Sequence, residues 1–176
     1  MVFSSQVFAM QADAPTAVPT FVSTVPVVEK KPFFDSAIVP EPVIVDNRAE
    51  KIEKYFARHN LPLGGQAEYF IISADKYDID WRLVAAIGFI ESTGGEFACK
   101  TVGYNAWGWG SCTLGFDSYA EAIDVISKNL AGQHPKTAYH YADKDVRGKL
   151  ESYNPPSIVP DYADKVMREM RIIDEQ

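Results

Sequence analysis

From residue 47 onward, apolar positions recur at the three- and four-residue spacing of a helix with one buried face, and nowhere do they alternate as a half-buried strand would. The first such stretch follows Asp46 and Asn47, either of which suits the cap of a helix through RAEKIEKYFARHN, with Ile52, Tyr55, Phe56 and His59 on one side. Pro62 and the Gly64-Gly65 pair end that element. A second helix, about Gln66 to Tyr77, gathers Phe70, Ala74 and Tyr77, and Asp78 or Asp80 caps a third that begins at Trp81. The third is apolar nearly all round from Leu83 to Ile90, the mark of a central, buried helix. Leu83, Ile87 and Glu91 follow one another at i, i+4 and i+8, so Glu91 extends the buried stripe and is expected to be poorly solvated.

After a Trp-rich loop, Phe116-Asp117-Ser118-Tyr119 leads into AEAIDVISKNLAG, where Ala122, Ile123, Ile126 and Leu130 keep helical spacing and Gly132 stops it. Residues 133 to 149 read as a polar connection with one short helix. Pro155-Pro156 makes a rigid bend, and DYADKVMREMRII forms a last helix with Tyr162, Val166, Met170 and Ile173 inward. The expectation is an all-α domain over residues 47–176, with five to six helices and a Trp-rich loop over a cleft.

Glu91 ends the apolar helix, where burial penalises ionisation and the negative end of the helix dipole disfavours a second negative charge. Both effects raise its pKa, as a proton donor at neutral pH requires. The plainer alternative is a structural Glu that orders the Gly94-Gly95 turn. Those glycines, with Thr93, let a ligand or a loop come close. Trp107 and Trp109 are two residues apart, so an extended backbone points both indoles to one side, as a surface about the width of a sugar ring. Tyr104 and Asn105 lie beside them with groups for sugar hydroxyls or acetamides, and since a single Trp is more often core than not, one of the two tryptophans is expected in the core and the other in the cleft. Cys99 and Cys112 bracket this loop. A disulfide between them closes about 14 residues and is worth roughly 3 kcal/mol in the chain-entropy model, the alternative being two free buried thiols.

Composition removes several function classes. The net charge of -7 has the wrong sign for nucleic-acid binding, and no apolar run reaches a membrane span. Two cysteines and three scattered histidines, His59, His134 and His140, offer no usable set of metal ligands, and no cofactor is implied. Residues 1–46 hold six of the eleven prolines and no glycine, and read as a leader or linker. Within them, Val7-Phe8-Ala9 has the spacing of a secretory cleavage site, without the basic segment that usually precedes one.

Taken in order, AIGFIEST, YNAWGWG, FDSYAEAIDVISKNL, SYNPP and YADKVMREM resemble the lysozyme-like peptidoglycan glycosidases, most of all the glucosaminidase-type autolysin domain, mannosyl-glycoprotein endo-beta-N-acetylglucosaminidase-like. The match spans roughly residues 48 to 173. Glu91-Ser92 and Tyr153-Asn154 also echo the soluble lytic transglycosylases, but that family's Gly-Leu-Met-Gln run is missing and its Tyr-Asn-Ala-Gly is Tyr-Asn-Pro-Pro here. The resemblance implies a monomeric enzyme of the cell envelope or exterior that cleaves an N-acetylated wall glycan. It makes Glu91 the general acid, with Asn105 and Trp107 lining the cleft and Tyr153 opposite Glu91. Ser92, Tyr104 and Trp109 complete the expected substrate contacts. A second carboxylate is not singled out, with Glu96, Asp117 and Glu121 as candidates. The alternatives are a transglycosylase or muramidase on the same substrate, a non-catalytic glycan-binding module, or a structural envelope protein.

Overall fold

The computed structural model describes residues 45–176, and the leader and cleavage-site readings fall outside them. The described residues hold seven α-helices and no strand: α1 Arg48–Ala57, α2 Ala67–Tyr77, α3 Leu83–Ser92, α4 Tyr119–Leu130, α5 Ala138–Tyr141, α6 Val146–Tyr153 and α7 Tyr162–Asp174. Among them none is long and apolar enough to cross a membrane.

The all-round apolarity of α3 has the anticipated consequence. Residues 83 to 88 are buried without exception, and the helix lies between α7, its most extensive neighbour, and α4. Helices α1 and α2 pack on each other, and α2 lies along α4. Ile52, Phe56, Phe70, Ile123, Ile126 and Ile173 close the core from these helices. Trp107 enters the same core from the loop. Gly88 makes that entry possible, because a Cβ there would stand 2.8 Å from Leu63 Cδ1 and 3.0 Å from the Trp107 indole nitrogen. Gly88→Ala is therefore expected to destabilise the domain by about 1–3 kcal/mol, as overpacking does, despite the better helix propensity of Ala. Thermal unfolding checks this, and an unchanged or higher midpoint would contradict the tight packing.

Local capping sets the ends. Ser118 accepts from the Glu121 N–H at 3.1 Å while the Glu121 carboxylate takes the Asp117 N–H at 2.6 Å, a reciprocal arrangement that starts α4. Three boundaries differ from expectation. α1 stops at Ala57, so His59 falls beyond the helix and is exposed. α3 starts at Leu83 rather than Trp81, because the Asp80 carboxylate engages the Arg82 N–H and guanidinium just before it. The segment 133–149 holds the expected short helix, α5, and the start of one that was not expected, α6, whose Asp145 cap accepts from the Gly148 N–H at 2.7 Å. Leu150 is the one fully buried residue of α6, too short a stripe to register as periodicity.

Ion pairs join helices along the surface: Arg48 of α1 with Asp75 of α2, and Arg82 beside α3 with Asp174 of α7. These exposed pairs contribute little each. A more enclosed tie runs from α1 to α7, where the Tyr55 hydroxyl donates to the buried Glu169 at 2.8 Å.

Candidate functional site

A groove of about 530 Å³ opens where the end of α3, the Trp loop, the α5 wall and the end of α6 meet. Glu91 lies on its wall. The position follows from α3, whose buried face fixes the helix rotation and whose last turn carries the carboxylate past the core. Its side chain keeps access to the groove, so Glu91 is better exposed than its place on the Leu83-Ile87 stripe predicts. The helix ends at this point, and the stripe runs out into open space. Protein atoms nevertheless crowd the carboxyl, and this burial pushes its pKa above the ordinary value. The Tyr162 hydroxyl opposes the shift by donating to Glu91 Oε1 at 2.6 Å.

The tyrosines on this side act as a stack. Tyr153 and Tyr162 lie nearly parallel, with ring centres 5.9 Å apart, and Tyr153 donates its hydroxyl to the Trp107 carbonyl. Burial, and then the Glu91 charge, hold both phenols above their ordinary pKa, so both stay neutral donors. Tyr141, pushed up to about 12 by burial, and Tyr153 flank the Trp109 indole at centroid distances of 6.5 and 5.8 Å. Gly108 adopts a left-handed φ of 62°, and a Cβ on it would lie only 3.5 Å from Glu91 Oε2. The bare backbone thus passes beside the carboxylate.

One tryptophan in the core and one at the cleft is the expected division, and that left-handed residue corrects only the same-side geometry. Extended backbone would send Trp107 and Trp109 the same way; the turn at Gly108 sends them apart. Trp107 is fully buried, with its indole N–H on the Val84 carbonyl at 2.9 Å, and its ring offers no surface to the groove. Trp109 is half-buried on the groove wall.

Asn105 likewise faces inward. Its amide donates to the carbonyls of Trp109 and Leu114, both at 2.8 Å, and its oxygen accepts from the N–H groups of Trp107 and Trp109. With zero exposure it holds the loop and does not line the groove. Ser92 is buried as well, donating to the Gly88 carbonyl and accepting from the Gly95 N–H at 2.9 Å. One helical step beyond Glu91, it points toward the core. Tyr104 is exposed and set edge-on to Tyr119, away from the groove-lining residues. Gly94 serves the loop rather than a ligand: a Cβ there would stand 2.9 Å from Phe56 and Leu61, and its carbonyl takes the Leu63 N–H.

Of the expected site residues, the structure brings together Glu91, Trp107, Trp109 and Tyr153 at the groove, Trp107 with no exposed surface. Glu96, Asp117 and Glu121 do not line the groove, and Glu91 is the one carboxylate among the described residues that do. Tyr162, read from the sequence as an inward position, is buried in the core as expected, and its hydroxyl is in addition the partner of Glu91. Asn154, noted beside Tyr153 in the sequence, faces the groove, and Tyr141, Thr137 and His140 do so without having been assigned to the site. No local pattern marks them, because the wall they form exists only when α5 and α6 fold against the Trp loop.

Cys99 and Cys112 form a disulfide across the base of the Trp loop. Reduction, or the paired Cys99→Ser and Cys112→Ser change, is expected to lower stability by about 2–4 kcal/mol. Thermal unfolding with and without reductant reads the effect; coincident curves would show that the crosslink constrains nothing.

No family model, no curated protein and no solved structure matches the chain.

Proposed function

We propose that this chain is a glycoside hydrolase acting on the N-acetylated glycan of bacterial cell walls, of the endo-β-N-acetylglucosaminidase type, with Glu91 as general acid. The observation that carries the reading is a single carboxyl held in protonation-favouring surroundings beside a half-buried indole, in a groove whose wall also offers the hydroxyls of Ser111, Thr137 and Tyr141, the Asn154 amide and the His140 imidazole among apolar groups. Such a wall suits a sugar, whose faces are apolar and whose rim is hydroxyl. Glu91 would protonate the glycosidic oxygen as the C1–O bond breaks, and its carboxylate would then take a proton from the attacking water. The disulfide suits an oxidising compartment, in keeping with a secreted or envelope-bound enzyme.

One observation favours a second outcome on the same substrate. Schemes with two carboxylates need a partner roughly 5–9.5 Å from the acid, and Glu91 has none among the described groove residues. The substrate's own 6-hydroxyl can replace water as nucleophile, with Glu91 taking that proton, to leave a 1,6-anhydro sugar. Clearing of purified wall suspensions tests the glycosidase reading, and no clearing with no soluble fragment would end it. Mass spectrometry of the fragments separates added water from the anhydro product.

Tyr162 gives a pH signature. Its hydrogen bond favours the ionised carboxylate, so Tyr162→Phe is expected to raise the Glu91 pKa further. Activity requires protonated Glu91 and falls as pH rises through that pKa. The alkaline limb of kcat/KM should accordingly move to higher pH in the variant; a limb that stays put or moves down would remove Tyr162 from this role.

A further inference from the structure

The two oxygens of the Glu91 carboxyl stand in different surroundings. Oε1 accepts the Tyr162 hydroxyl at 2.6 Å, and that phenol donates to no other acceptor among the described residues. In the neutral acid, an oxygen that already accepts a hydrogen bond is the carbonyl oxygen, and the acid proton goes to its neighbour. That neighbour, Oε2, takes no hydrogen bond from the described residues. It faces the bare Cα of Gly108, where a Cβ would stand 3.5 Å away, and both residues line the groove. The Gly108 backbone is held from both sides. The Trp107 carbonyl before it accepts from the Tyr153 hydroxyl, and the N–H groups of Trp107 and Trp109 share the Asn105 oxygen at 3.2 and 3.0 Å. The space between Oε2 and the Gly108 Cα is thus set by the fold.

A general acid must come within about 2.6–3.2 Å of the oxygen it protonates. On this side of the carboxyl, a side-chain carbon on residue 108 would take the place that oxygen needs. We propose that Oε2 is the oxygen that delivers the proton and that Gly108 is a positioning residue, leaving room for the bridging oxygen so that the leaving sugar passes over its bare backbone. This rests on the glycosidase reading above. In the step, the C1–O bond breaks and its electron pair stays on the bridging oxygen, which receives the Oε2 proton. The nucleophile, water or the 6-hydroxyl, bonds to C1 and gives its proton back to Oε2.

The experiment uses the full chain and two probes. A β-1,4-linked N-acetylglucosamine hexamer has a leaving sugar that needs a proton; the nitrophenyl glycoside of the pentamer has a phenolate that leaves without one. Gly108→Ala is expected to lower kcat on the hexamer about 10²-fold or more, and release of nitrophenolate by less than about tenfold. Binding, read by quenching of tryptophan fluorescence, should stay within a few-fold of wild type, and Glu91→Gln should show the same split between probes. Equal losses on both probes in a variant of unchanged unfolding midpoint overturn the proposal, as does hexamer cleavage within a few-fold of wild type. Alanine is strained at a left-handed φ, so where a lowered midpoint accompanies the losses Gly108→Asn decides, Asn being more at ease there. The same split in that variant supports the proposal; equal losses, or none, overturn it. A wild-type chain that cleaves neither probe nor purified wall ends the glycosidase reading and this proposal with it, whereas an active wild type with an unaffected Gly108→Ala removes the proposal alone.

Discussion

Glu91→Gln is expected to lower turnover on wall glycan by about 10²–10⁴-fold, the usual contribution of a positioned general acid, while binding stays within a few-fold of wild type. The amide keeps the shape of the side chain and can still accept from the Tyr162 hydroxyl that now meets Oε1. It cannot supply a proton to a leaving oxygen. Stability should move the opposite way to activity. A carboxyl whose folded pKa lies above its unfolded value contributes stability that is full below the unfolded pKa and is lost as pH rises through the folded one. Wherever pH lies above the folded pKa, the ionised Glu91 is thus a cost to the fold, and there the glutamine variant should unfold at the same or a higher temperature. A variant retaining a tenth of wild-type turnover would remove Glu91 from the chemistry. One that is inactive but grossly destabilised would mark the carboxylate as structural.

Asn105→Ala is expected to have the largest effect on stability. The side chain is fully buried, and all of its hydrogen-bonding capacity is used within the Trp loop. Truncation leaves two carbonyls and two N–H groups short of a partner, at about 1–3 kcal/mol for each that water cannot reach. Since part of the loop can relax toward solvent, a loss of about 3–4 kcal/mol is the reasonable expectation. Asn105→Asp sharpens the test, because it keeps shape and acceptors but cannot, when ionised, donate to the Trp109 and Leu114 carbonyls. Thermal unfolding measures both changes. Turnover should fall with them, since the same loop carries Trp109 and the Gly108 backbone to the groove. A loss below about 0.5 kcal/mol, typical of a neutral surface change, would mean that the disulfide alone holds the loop.

Residues whose role follows from near neighbours in the chain were legible in the sequence. The burial of α3, the inward face of α4 and the Glu91 position at a helix end all follow from spacings of three or four residues, which a helix turns into contacts whatever the tertiary fold. The pairing of Cys99 with Cys112 was legible for a similar reason, being the one disulfide that two cysteines permit. Tertiary structure decided the wall of the site. Tyr162 lies 71 residues from Glu91, on a helix whose pattern says only that one side faces inward, and which part of that side meets a carboxylate depends on how α7 crosses α3. The tryptophans show the same limit at short range. Two residues apart, they diverge because Gly108 takes a left-handed turn, and glycine permits that conformation without requiring it. Periodicity reports the side of an element that leaves water; it carries no record of which neighbour receives it, so the helices could be read from the chain and the groove between them could not.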